Sequence, residues 1–301
     1  MNINMIRSDK VYRELLEMPM AERRSRFKKE ILAPYKEKFY KQGIPFEAKE
    51  EGGFDIMMLL SWMHFMPEML TQEQLSLINR LDDSVWQSCE RAIRDSLARF
   101  RSVKLPVQDY TFTILLAQPS APMLQINDGY SGDGGIPGYL FLSLVPNEYT
   151  LSRLPSALTH EVNHNVRYQF VDWDGGSLKE MLVAEGLAEN FAVKMYGKEK
   201  LGPWVSKTSM DTLNQVIKPF LHNHLDVKGV QKITAYLYGD EIAALMGQEG
   251  VGMPYCAGYA CGYYLIQYYL EKTGKTIEEA SLIPASEILA EVEEFWTETT
   301  R

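Results

Sequence analysis

Apolar residues recur every three or four positions from Val11 to about Val103, with charges between them, and that period predicts amphipathic helices. Leu75, Leu77, Ile78 and Leu81 show it, as do Val85, Cys89, Ile93 and Leu97. The stretch from Phe54 to Met63 is apolar nearly all round and reads as a buried helix. At Pro106 the texture changes. Thr111 to Ala117 (TFTILLA) is short, β-branched and aromatic-rich, as a strand is. The run Ser131-Gly132-Asp133-Gly134-Gly135-Ile136-Pro137-Gly138 reads as a flexible turn feeding a second strand from Tyr139 to Val145. Helical periodicity returns at Leu151. Ser177-Leu178-Lys179-Glu180 has the form of a capping box and opens a helix expected to run to Gly197. Further helices are expected from about Cys256 to Thr273, stopping at Gly274, and from about Ala285 to Trp296. The pattern predicts an α+β protein, mostly helical with a small sheet. A helical N-terminal lobe over 1–105 joins a second region over 106–301, expected as one compact unit.

The sharpest chemical signal is His160-Glu161-Val162-Asn163-His164. Residues four apart stand one turn apart on one helical face, so both imidazoles can reach a single ion. Leu154, Leu158, Val162 and Val166 fall on the opposite side, so the helix packs through one face and offers histidines on the other. Glu161 is placed to hold a metal-activated water rather than the metal. With 5 histidines in 301 residues, the pattern arises by chance about once in 150 such chains.

A catalytic zinc site takes three protein ligands and leaves a fourth position open. The third candidate is Glu185, in Val183-Ala184-Glu185-Gly186-Leu187-Ala188-Glu189, on the helix that follows. The segment Val171-Asp172-Trp173-Asp174-Gly175-Gly176 can reverse the chain and bring that helix back antiparallel. Gly186 is poor helix material, about 1 kcal/mol worse than alanine, which implies a close backbone approach there. Glu189, one turn beyond Glu185, can accept a hydrogen bond from the second nitrogen of His160 and fix its tautomer. His222 and His224, two apart, face different ways on a helix and read as loop or capping residues. His64, within Trp62-Met63-His64-Phe65-Met66, reads as a satisfied core histidine.

Charge narrows the partners. Lys and Arg number 31 against 40 Asp and Glu, a net charge of -9. Nucleic acids and anionic membrane surfaces need a basic footprint, so neither is expected as a partner. There is no apolar run long enough for a membrane span and no secretory signal at the N-terminus. Cys89, Cys256 and Cys261 are odd in number and carry no zinc-thiolate spacing. They are expected to be reduced and buried in a cytoplasmic protein.

The motifs together resemble the gluzincin branch of zinc metallopeptidases, and more closely the YjaZ-type family of predicted zinc-dependent proteases. The resemblance lies in Leu158-Thr159-His160-Glu161-Val162-Asn163-His164-Asn165-Val166-Arg167, in Glu185-Gly186-Leu187-Ala188-Glu189, and in Ala257-Gly258-Tyr259-Ala260-Cys261-Gly262-Tyr263. It covers roughly residues 105–295 and implies a zincin-like fold with the small sheet beside the active helix. It implies Zn2+ as cofactor, His160, His164 and Glu185 as its ligands, and Glu161 as general base on zinc-bound water. The substrate would be a peptide or protein. Tyr255, Tyr259 and Tyr263 recur at four-residue spacing, and a tyrosine of this segment would donate to the oxyanion. Tyr255 and Tyr259 both qualify, and the GYxxGY match favours Tyr259. The strand from Tyr139 to Val145 would pair with extended substrate backbone at the sheet edge. The alternative of a different class is a non-catalytic zincin-scaffold protein with a structural zinc that binds a protein partner.

Overall fold

The computed structural model describes residues 1–300. Four strands, β1 (Asn2–Ile6), β2 (Asp109–Leu116), β3 (Tyr130–Asp133) and β4 (Tyr139–Leu144), form one mixed sheet in the order β1-β2-β4-β3. β1 and β4 each lie parallel to β2, with Met5 opposite Phe112 and Ile114 opposite Leu142. β3 is antiparallel to β4, with Ser131 opposite Ser143. The longer helices are α1 (Ser8–Glu17), α2 (Met20–Phe27), α3 (Asp83–Arg99), α4 (Glu148–Arg167), α5 (Leu178–Tyr196), α6 (Val230–Tyr238) and α7 (Ala257–Thr273). The protein is α+β and mostly helical.

The described residues divide into two compact units, one of residues 1–95 and 105–161, the other of 96–104 and the described residues from 162 onward. The first unit holds the whole sheet. Tyr12, Leu15, Phe27, Ile31 and Tyr35 are buried against Leu115 and Leu116 of β2. Two buried phenols fasten these helical residues to the sheet: Leu116 N–H donates to Tyr12 Oη at 3.0 Å, and Tyr35 Oη donates to Leu140 O at 2.9 Å. This unit carries both the N-terminal helices and the strands, so residue 105 is not where it ends. The second unit is helical. Its centre is the contact between α5 and α7, with Phe100 packed on Phe191 at 5.3 Å.

Several local expectations hold. β2 and β4 lie where the apolar runs place them, and α5 and α7 stop at Gly197 and Gly274, whose φ angles are +89° and +68°. Others do not. β1 was not expected, because its five residues (NINMI) gain their strand character from pairing with β2, about a hundred positions away. Ser131, Gly132 and Asp133 belong to β3 rather than to a flexible turn. The helix expected over Phe54–Met63 is only Ile56–Ser61, and Phe54, Met58 and Trp62 are 44%, 39% and 62% exposed. The last helix is Ala285–Ala290, followed by a separate 3-10 turn at Glu293–Trp296.

Candidate metal centre

α4 is held from its apolar side, where Leu154, Leu158, Val162 and Val166 are all buried. One turn apart on its other side stand His160 and His164. α5 starts at Ser177, whose Oγ accepts from Glu180 N–H at 3.2 Å. The expected capping box is half made. Ser177 N–H donates to Asp174 Oδ1 at 3.0 Å, and the Glu180 carboxylate turns to Arg167. Arg167 is fully buried and donates twice to Glu180, from Nε at 2.9 Å and Nη2 at 3.0 Å. Its Nη1 donates to Ser281 O at 3.1 Å and Ile283 O at 2.8 Å. The pairs Arg167–Glu180 and His164–Glu185 step in opposite directions along the two helices, so α5 returns antiparallel to α4.

That return brings Glu185 to the histidines. One ligand atom from each of His160, His164 and Glu185 lies within 4.8 Å of the others, and all three residues are buried. His164 Nε2 and Glu185 Oε2 are 3.3 Å apart. Bonds of about 2.0–2.1 Å in tetrahedral geometry set zinc donor atoms roughly 3.3 Å from one another, so this pair already stands at a suitable spacing. Two imidazoles and a carboxylate are also the donor chemistry that zinc accepts. The residues present fit the ion.

Glu161 is 8% exposed and lies against β3. A Cβ on Gly132 would sit 2.3 Å from Glu161 Oε1, and one on Gly134 would sit 2.2 Å from Glu161 O. Only glycine lets the strand and the turn after it approach so closely. Between them Asp133 accepts from Lys38 Nζ at 2.6 Å, and Lys38 is fully buried. Burial raises the Asp133 carboxyl, but the charge and hydrogen bond of Lys38 outweigh it and hold the group below the usual carboxylate range. These contacts were not read from the sequence, although alternate glycines entering a strand were the available signal. They also correct the expected substrate strand. β4 is paired on both sides, with β2 and β3, and the edge strands of the sheet are β1 and β3.

Three comparisons bear on this geometry. Residues 85–290 match the family described as predicted Zn-dependent protease (DUF2268). The chain belongs to that family. The uncharacterized protein YjfC of Bacillus subtilis (strain 168) is 32% identical over 296 residues, covering 97% of this chain and 98% of its own length. The uncharacterized protein YjaZ of the same organism is 23% identical over 153 residues, 50% of this chain and 54% of its own. No solved structure matches. The family match starts before residue 105 and takes in α3, which the motifs alone did not reach.

The tyrosines of this family member separate by position. α7 starts at Ala257, and Cys256 before it is left-handed with φ +48°, so Tyr255 does not share the helical face of Tyr259. Lys207 Nζ lies 5.1 Å over the Tyr255 ring. Tyr259 packs on Tyr238 at 5.5 Å and on Trp204 at 6.3 Å. Burial first, then the charge of Glu185, pushes its phenol well above the ordinary tyrosine value. Tyr263 is buried and accepts from Gln267 Nε2 at 3.0 Å. Glu189 accepts from Gly202 N–H at 2.6 Å and Trp204 Nε1 at 2.9 Å. The indole of Trp204 carried no motif and was not anticipated.

Away from the cluster the remaining histidines and cysteines behave as ordinary structure. His64 Nδ1 donates to Leu60 O at 3.0 Å, which leaves Nε2 to accept from Ser143 Oγ at 2.7 Å. His222 ends a short helix and stacks on Trp296 at 5.0 Å, and His224 stacks on Phe220 at 4.3 Å. Cys89, Cys256 and Cys261 are free and buried, and burial raises each thiol to about 12. Among the described residues no helix is long and apolar enough to cross a membrane.

Proposed function

We propose that the chain is a zinc-dependent peptidase with a zincin-like fold, hydrolysing a peptide or amide bond in a peptide or protein substrate. The observation that carries this is the convergence of His160, His164 and Glu185 within 4.8 Å, with Glu161 beside the first histidine. A zinc ion held there supplies Lewis acidity, polarising the scissile carbonyl and making a water molecule acidic near neutral pH. Glu161 accepts the proton of the attacking water and delivers it to the leaving nitrogen. Gly132 and Gly134 pack against this residue and restrict its movement. Tyr259 donates its phenolic hydrogen to the oxyanion, and the burial that raises its pKa keeps that hydrogen in place. Glu189, fixed by Gly202 and Trp204, is assigned to orient His160. The edge strand β3 receives extended substrate backbone as an added strand. The three free, buried cysteines support a reducing, cytoplasmic setting.

The deciding experiment combines metal content with one isosteric variant. Protein purified without a histidine tag should hold close to one zinc per chain. Glu161→Gln should keep that zinc and lose about 10²–10⁴-fold of peptide turnover, the range for a positioned general base. Equal turnover by Glu161→Gln and wild type would exclude the mechanism. Zinc in both with turnover in neither would leave a structural zinc in a partner-binding scaffold.

A further inference from the structure

One turn past His164 the metal-bearing face of α4 continues into aromatic side chains that the proposed chemistry does not use. The Tyr168 ring lies nearly parallel to the His164 ring, 15° between planes and 6.4 Å between centroids. Trp173 meets Tyr168 edge-on at 5.6 Å. Trp173 is 50% exposed, and the other side of its indole packs on Tyr168 and Gly176. A Cβ on Gly176 would come within 3.1 Å of that ring and within 3.2 Å of Val230 Cγ2, so glycine lets the indole settle against the backbone. The turn beneath is hydrogen-bonded: Asp174 accepts from Gly176 N–H and Ser177 N–H, each at 3.0 Å. Val230, on the far side of Gly176, is 60% exposed.

A large indole packed on one side and half open to solvent leaves apolar surface unburied. Such surface next to a reactive centre marks a binding position. An indole with only two side-chain torsions also loses little conformational freedom when a ligand covers it. We propose that Tyr168, Trp173 and Val230 form a subsite for one bulky apolar or aromatic side chain of the substrate, reached from the metal centre across His164. This rests on the peptidase reading for the identity of the occupant. The shelf makes the enzyme selective for a large side chain at one position beside the scissile bond.

The test uses the full-length, zinc-loaded protein with peptide sets in which one position at a time is Phe, Leu, Ala or Gly. Binding to the Glu161→Gln protein is measured by calorimetry, and turnover by the wild type is measured alongside. Peptides with Phe or Leu at one position should bind at least about tenfold more tightly than those with Gly. Trp173→Ala should reduce that ratio about tenfold, while Trp173→Phe retains part of it. A ratio unchanged in Trp173→Ala, with zinc content and melting temperature intact, would overturn the subsite. So would equal binding of the Phe and Gly sets by the Glu161→Gln protein with Trp173 intact. Preference in binding without any turnover would retire the peptidase reading and leave the subsite standing.

Discussion

Gly186 of α5 and Gly262 of α7 stand backbone to backbone. A Cβ on Gly186 would come within 2.1 Å of Gly262 O, and a Cβ on Gly262 within 2.1 Å of Leu182 O. Two reciprocal positions thus admit no side chain, and they set how near the helix carrying Glu185 comes to the helix carrying Tyr259. The flaw that glycine introduces into a helix, about 1 kcal/mol relative to alanine, is tolerated because the crossing needs it. Gly186→Ala should therefore destabilise the protein by about 3 kcal/mol or more, the upper range for overpacking, and weaken zinc retention as α7 is pushed away. Gly135→Ala, where nothing lies within 4 Å of the added carbon, is the control and should shift stability little. Urea unfolding of both variants checks this. Equal stability of the two would refute the crossing argument.

The buried Arg167–Glu180 pair joins α4 to α5 at the end that brings Glu185 to His164. Arg167→Met leaves Glu180 buried without its partner and orphans two carbonyl acceptors, at a cost of about 3–5 kcal/mol. Replacing both, as Arg167→Met with Glu180→Leu, should recover much of that loss, because two apolar chains need no pairing. Calorimetric melting of the single and double variants measures the difference.

Metal should stabilise the fold as well as serve the chemistry. An ion bound only by the folded chain adds about 2.7 kcal/mol at a free concentration a hundred times its dissociation constant. Chelation should lower the melting temperature, and added zinc should restore it. Glu185→Ala should weaken zinc binding beyond the roughly 10–100-fold expected for loss of an outer hydrogen-bonding partner. A melting temperature indifferent to chelator and zinc would count against the site.

His64 sets an acid limit on stability. Buried beside Leu60 and Ser143, it is held neutral, and burial lowers its pKa from 6.5 to about 4. Between those values the unfolded chain binds a proton that the folded one refuses. Stability is therefore complete above about pH 6.5 and falls as pH drops toward 4, by about 3 kcal/mol over the window. Denaturant midpoints from pH 7 to 4 should show this slope in the wild type. His64→Gln should flatten it, and an unchanged slope would assign the acid sensitivity elsewhere.

Much of the candidate site is local information. His160 and His164 share a face because four residues make about one helical turn, wherever the helix lies. Gly186 announced a close approach because glycine is otherwise a cost inside a helix. α5 and α7 end at Gly197 and Gly274 because glycine adopts positive φ without strain.

What the tertiary structure decided is non-local. β1 is a strand because β2 lies beside it, and nothing in NINMI alone requires that. β3, not β4, became the edge strand on that side of the sheet through pairing that periodicity does not encode. Glu180 left its capping role for Arg167 because a buried guanidinium demands a carboxylate more strongly than a helix start does. Tyr255 left the face of Tyr259 because Cys256 turns left-handed before α7 begins. The sequence alone determined which residues could bind a metal, since ligand type and helical spacing are properties of a short segment. Which strand lies against Glu161, and which rings pack on Tyr259, depended on packing between segments that their own sequences do not specify.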